Sequence, residues 1–248
     1  MKTIKPQKLG VLHRTFENDG KCYFVPTLLL FVPFDAPTVP LHEVNMWKLV
    51  GAELGKEAAL DECMWKARGE VLVTGRAYPP GGKPQPACAV RLQVATVDKR
   101  LYVVGDRQWR RGVATDPQPF TEKPLGWAQA FGGEGFDKNP LGKGYRPVVD
   151  EHSGLEAQPL PNVEHPKKLV ASPGDKPDPV GFGAIDLSWP QRFSKRGTYD
   201  QRWLEERFPG FAADLDWTFF NVAPPDQWIE GYFQGGEEIL VENMHPSE

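Results

Sequence analysis

The segment Gly126-Trp127-Ala128-Gln129-Ala130-Phe131-Gly132-Gly133-Glu134-Gly135-Phe136, closing on Asn139-Pro140-Leu141-Gly142-Lys143-Gly144-Tyr145, limits the possible folds most. Glycine at this density demands backbone conformations that other residues avoid, with close approach to a neighbour or partner. Neither a helical nor a strand period runs through the segment. It holds no good nucleophile and no metal-ligand spacing, so it suits holding something better than cutting it. Trp127, Phe131, Gly132, Gly133, Phe136, Asn139 and Tyr145 form the candidate partner-binding set. The competing reading makes the aromatic residues core anchors of an irregular loop, the commoner arrangement; yet fixed loops often carry function and can present a docking face.

A chain of 248 residues, 40% apolar and 25% charged, has ample material for a real core. It is read as one β-rich domain spanning 1–248. Proline and glycine number 25 each, which favours turns and long ordered loops over helical bundles. A net charge of −4 offers no long-range attraction to a phosphate backbone, so nucleic acid is set aside as the main partner. Cys22, Cys63 and Cys88 are an odd number without a Cys-x-x-Cys pair, and Cys22 and Cys88 fall at strand-like positions that suit buried thiols. The N-terminus lacks a signal-peptide core, and the longest wholly apolar run, Leu28 to Val32, is too short to span a bilayer. A soluble, cytoplasmic protein is expected.

The strand signals are strongest in the first half. Asn18-Asp19-Gly20 between Val11–Glu17 and Lys21–Val25 predicts a hairpin, followed by a separate buried strand at Leu28–Val32. Val44, Trp47, Val50 and Leu54 recur at helical spacing, predicting one amphipathic helix over 41–54. Alternation predicts strands at Val71–Tyr78, Cys88–Val97 and Arg100–Trp109, with Pro79–Gly82 and Asp98-Lys99 as turns. In the second of these, Cys88, Val90, Leu92 and Val94 share one face. The pattern implies a mainly β fold: an antiparallel sandwich or barrel-like core, one or two short helices, and a long ordered loop layer over 110–190. Further on, Thr198 and Gln201 have the form of a capping box for a helix with Trp203, Leu204 and Phe208 on its apolar side. Asp216–Asn221 and Glu237–Glu242 are the last strand candidates.

No catalytic constellation emerges. The Gly-x-Ser-x-Gly elbow and the phosphate-binding loop are absent, and Gly181-Phe182-Gly183 lacks the third glycine of a dinucleotide site. His13, His42, His152, His165 and His245 are scattered without metal-ligand pairing. Asp214 and Asp216 alternate along an extended segment and could pair as acid and base, as in a carbohydrate-active or hydrolytic protein; solvated acids are the plainer reading. Glu134 and Asp137 have no local apolar neighbours to raise a carboxylate pKa. No enzyme, cofactor or metal is expected.

Several blocks together resemble the bacterial domain-of-unknown-function family 2169. They are Arg68–Gly75, Val97–Leu101, Phe131-Gly132-Gly133 with Asn139-Pro140 and Gly142-Lys143-Gly144, Leu160–Glu164, Gly197–Asp200 with Trp203, and Phe220–Pro224. The resemblance implies an accessory protein of the type VI secretion system. Such a protein is an adaptor or chaperone that helps load an effector with a PAAR-like tip domain onto the spike. A spike protein or co-chaperone is a further implied partner, and a structural subunit of the secretion tip is the alternative role. Some family members carry a C-terminal pentapeptide-repeat region, which this chain lacks. The family's domain also usually runs on past the segment equivalent to Glu242–Pro246, so the resemblance implies a shortened C-terminal end here. The family supplies no catalytic residues to carry over.

Overall fold

The computed structural model describes residues 8–31, 66–149 and 156–246. The helix expected over 41–54, together with Cys63, His42 and His152, lies outside them. Two compact units divide the chain, one drawn from 1–67 with 194–221 and the other from 68–193 with 222–248. The fold is mainly β, as the alternating patterns predict, and is built from several small sheets. Among the described residues, no helix is long and apolar enough to cross a membrane.

The first unit is organised by a long hairpin. Strands β1 (Lys8–Asn18) and β2 (Lys21–Phe31) pair antiparallel with Asn18 opposite Lys21. Asp19 and Gly20 both take positive φ, 50° and 68°, the backbone of a type I′ turn whose twist matches the strands. β2 continues unbroken to Phe31, so the apolar run from Leu28 is the far half of one strand and not a separate element. Cys22 is exposed on it, contrary to the buried position expected, because its side of the hairpin faces solvent there. Near the turn, Phe16 stacks on Tyr23 with ring centroids 5.0 Å apart and meets Phe211 edge-on at 5.6 Å. Asn18 is buried and accepts a hydrogen bond from the Phe211 amide at 3.0 Å.

Local side-chain bonds correct two expectations in this unit. The helix runs Gln201–Glu206 and its N-cap is Asp200, whose carboxylate accepts from the Trp203 amide at 2.9 Å. Thr198 is drawn instead to Asp214. Of its expected apolar side, Trp203 is half-buried, whereas Leu204 and Phe208 are exposed. Asp216–Asn221 is a 3-10 turn over Trp217–Phe220 rather than a strand, because Asp216 caps it by accepting from the Thr218 amide at 2.9 Å.

The second unit holds the largest buried apolar cluster among the described residues. Its main strands are β3 (Ala87–Val94), β4 (Val97–Val104), β5 (Gln108–Arg110), β6 (Val113–Ala114), β7 (Val148–Val149), β8 (Glu156–Pro159), β9 (Val163–Glu164) and β10 (Ile239–Glu242). One four-stranded sheet has the order β9-β4-β3-β10, and a second has β7-β8-β5-β6. Cys88, Val90, Leu92 and Val94 of β3 are all buried, as their alternation predicts, and pack with Leu101, Val103, Leu125 and Phe182.

The β3–β4 turn is Ala95-Thr96, not Asp98-Lys99, since Val94 pairs with Val97. That shift puts Val97, Lys99, Leu101 and Val103 on the buried face of β4 and leaves Asp98 outside, where it accepts two bonds from Arg91. The expected strand Arg100–Trp109 is broken after Val104. Asn162 bonds both polar groups of the Val104 backbone, and the chain then enters the other sheet as β5. Of the expected strand Val71–Tyr78 only the pair Arg76–Ala77 is extended in a ladder, and a second short pair, Gly69–Glu70, precedes it. Between them the backbone is satisfied by loop partners, with the Val71 amide donating to Gln227 and Gly75 accepting from Leu125.

Candidate functional site: a braced loop and its cleft

The glycine–aromatic segment folds around one buried amide. Trp127–Gln129 forms a 3-10 turn, and Phe131–Gly132 pairs in parallel with Lys143–Gly144. Asn139 is fully buried between them and its Nδ2 donates to the carbonyl oxygens of Trp127 at 2.8 Å and Phe131 at 3.0 Å. The Asn139 carbonyl accepts from the Gly133 amide at 2.9 Å. Gly132 must be glycine: its φ is +153° and a Cβ there would stand 2.2 Å from the Asn139 oxygen.

All seven sequence-predicted residues are brought together in this loop, but they face differently. Trp127, Phe131, Gly132 and Asn139 are buried, whereas Gly133, Phe136 and Tyr145 are half-buried. The Trp127 indole donates to the Gly183 carbonyl at 3.2 Å and meets Trp189 edge-on at 5.6 Å. Phe136 bridges Phe131 and Tyr145, with centroid distances of 5.3 and 5.0 Å. The aromatic residues therefore brace the loop from inside, and Phe136 and Tyr145 bring its aromatic character to the surface.

Beside the loop lies an open cleft of about 440 Å³. Trp127, Pro179, Val180, Ile185, Pro224 and Pro225 give it apolar walls, and Gln191 stands at its side. Its charged groups are already matched. Lys138 is paired with Asp178. Lys99, buried on β4, donates to the Gly181 carbonyl at 2.7 Å, Gln227 Oε1 at 2.8 Å and Asp226 at 2.9 Å. Burial lowers the Lys99 pKa, and the Asp226 carboxylate opposes that shift. All three ammonium protons thus have acceptors, which suits a fixed structural cation better than a nucleophile. Sequence reading missed Lys99 by placing it in a turn; the alternation of Val97, Leu101 and Val103 around it was the available signal.

The acids considered for hydrolysis are engaged in local structure. Asp214 accepts from the Thr198 amide at 2.8 Å and hydroxyl at 2.7 Å, and these bonds hold it below the usual carboxylate range. For Asp216, burial pulls upward, yet the hydroxyl and amide of Thr218 outweigh it and lower the pKa. A general acid at neutral pH needs the opposite shift. Glu134 is exposed. Among the described residues, no group of three or more His, Cys, Asp or Glu could hold a metal ion.

A family model described as an uncharacterized protein conserved in bacteria (DUF2169) matches residues 24–248. The chain belongs to DUF2169. Searches of curated proteins and of solved structures give no match. In this DUF2169 member, the blocks that carry the resemblance include inner braces of the second unit. Besides Asn139, buried Asn162 donates to Val104 and Asp106, at 2.8 and 3.0 Å. Buried Glu164 pairs with Arg107 and accepts from the Val170 amide at 2.6 Å. The Ala223 amide donates to Glu70 at 3.0 Å. These polar residues fix irregular backbone, which is what buried loops require.

Proposed function

We propose that this DUF2169 protein is a non-enzymatic adaptor that grips another polypeptide, and that its client is a type VI secretion effector bearing a PAAR-like tip domain. The effector assignment comes from the family resemblance, and the cytoplasmic site of action is the reading of three cysteines without a Cys-x-x-Cys pair. The observation that supports the gripping role is the cleft beside the braced loop. Its volume of about 440 Å³ lies within the range of ligand sites, and its walls are tryptophan, aliphatic and proline side chains. Because Lys99 and Lys138 are already paired, an apolar anchor entering the cleft leaves no cation stranded. A large side chain of an extended client segment fits this chemistry, in the manner of a buried interface hot spot. The rigid frame reduces the ordering cost of binding.

The test is genetic and biochemical together. The effector encoded beside this chain should co-purify with it, and a clean deletion should stop that effector's export. Unimpaired export in the deletion strain contradicts the adaptor role.

A further inference from the structure

We infer that the cleft seats a tryptophan of the partner polypeptide, with its indole N–H donated to Asp226; this names the anchor of the gripping site and rests on that reading. The charged residues lining the cleft are Lys99, Lys138, Asp178 and Asp226, and they pair as Lys99–Asp226 and Lys138–Asp178. The lining therefore has no net charge with which to attract an ionised side chain. An arginine or glutamate anchor would bring an uncompensated charge against walls of tryptophan, isoleucine, valine and proline. Charge matching selects a neutral guest.

The hydrogen-bonding capacity, by contrast, is lopsided. Lys99 donates its three ammonium protons to Gly181, Gln227 and Asp226, and its side chain is only 5% exposed. Asp226 gives one oxygen to Lys99, and among the described residues its other oxygen accepts from no protein group. That side chain is 54% exposed and lines the cleft with Pro224 and Pro225. The spare donors of the cleft are on Lys138 and on Gln191, whose Nε2 is bonded to the Lys138 carbonyl, so they belong to the Lys138–Asp178 pair and not to Asp226. A guest that reaches Asp226 must donate. Among large neutral side chains tryptophan alone is donor only: phenylalanine and leucine have no donor, and tyrosine adds a hydroxyl oxygen that Asp226 cannot serve. A volume of about 440 Å³ admits an indole, with the Trp127 and proline rings as its stacking surfaces.

The test titrates the full chain with the amidated tripeptide acetyl-Gly-Trp-Gly and with its 1-methyltryptophan, phenylalanine and arginine forms, following the Trp127 indole N–H resonance. The tryptophan peptide should shift that resonance and bind roughly fivefold or more tighter than the 1-methyl and phenylalanine forms. Asp226→Asn keeps an acceptor for Lys99 but turns the spare acceptor into a donor, so the penalty for methylating the indole should vanish in that variant. No shift with the tryptophan peptide, tighter binding of the arginine form, or the same methylation penalty in Asp226→Asn would overturn the inference. Failure of effector capture while the peptides keep this order counts against the adaptor reading alone. Effector capture that Gln191→Trp abolishes, with no preference among the peptides, counts against the tryptophan assignment alone.

Discussion

Asn139 and Trp127, twelve residues apart, are joined by a hydrogen bond of 2.8 Å from the buried side-chain amide to the backbone carbonyl. The same amide holds Phe131, so one side chain fixes both shoulders of the loop that supplies a wall of the cleft. Replacing Asn139 with Leu strands two buried carbonyls. A loss of about 2–4 kcal/mol is expected from the cost of unsatisfied buried acceptors, measured by denaturant unfolding of the full chain.

Gly132 and Gly126 provide a contrast within one segment. A Cβ at Gly132 would collide with the Asn139 backbone, whereas one at Gly126 meets nothing within 4 Å. Gly132→Ala should lower the unfolding midpoint clearly. Gly126→Ala should leave it nearly unchanged, so equal effects from the two variants contradict the geometry.

Lys99 is expected to be structural. Lys99→Met keeps much of the volume but leaves the Gly181 carbonyl and Gln227 Oε1 without their donor, costing about 2–4 kcal/mol. Asp226→Asn retains an acceptor at an exposed partner and should cost under about 1 kcal/mol. Thermal melts of the two variants check the ranking.

Glu237 supplies a pH-dependent contact. Its carboxylate accepts from the amides of Gln234, Gly235 and Gly236, which hold its pKa at about 2 against an ordinary 4.5. A depressed carboxylate pKa stabilises the folded loop above the unfolded value, and that contribution fades as pH falls from about 4.5 toward 2. The three amide resonances should therefore shift together across that window, and Glu237→Gln should abolish the transition.

Local chemistry made part of the fold legible. Asp19-Gly20 marks the hairpin because only a few residues accept its turn, and the β3 alternation marks its buried face. The failures share a cause in distant partners. Lys99 reads as a turn lysine until the acceptors at Gly181, Asp226 and Gln227 are known. Val71–Tyr78 reads as a ladder, but its backbone is completed by Gln227 and Leu125. Thr198 fits a capping pattern, yet Asp214 takes it and Asp200 caps instead. In the candidate site, the membership of the loop was legible from its glycines and aromatics. The direction its side chains face depends on the buried Asn139 bonds and on Gly183, which no local pattern displays.

The most direct measurement of client gripping is effector capture by a cleft-filling variant. Gln191 is exposed on the helix Pro190–Phe193 and lines the cleft, so Gln191→Trp adds bulk there without replacing a core residue. Binding of the purified adjacent effector should weaken by about tenfold or more, roughly 1.4 kcal/mol, while the unfolding midpoint stays that of the parent. Unchanged affinity in a correctly folded Gln191→Trp protein would contradict the cleft as the client's anchor.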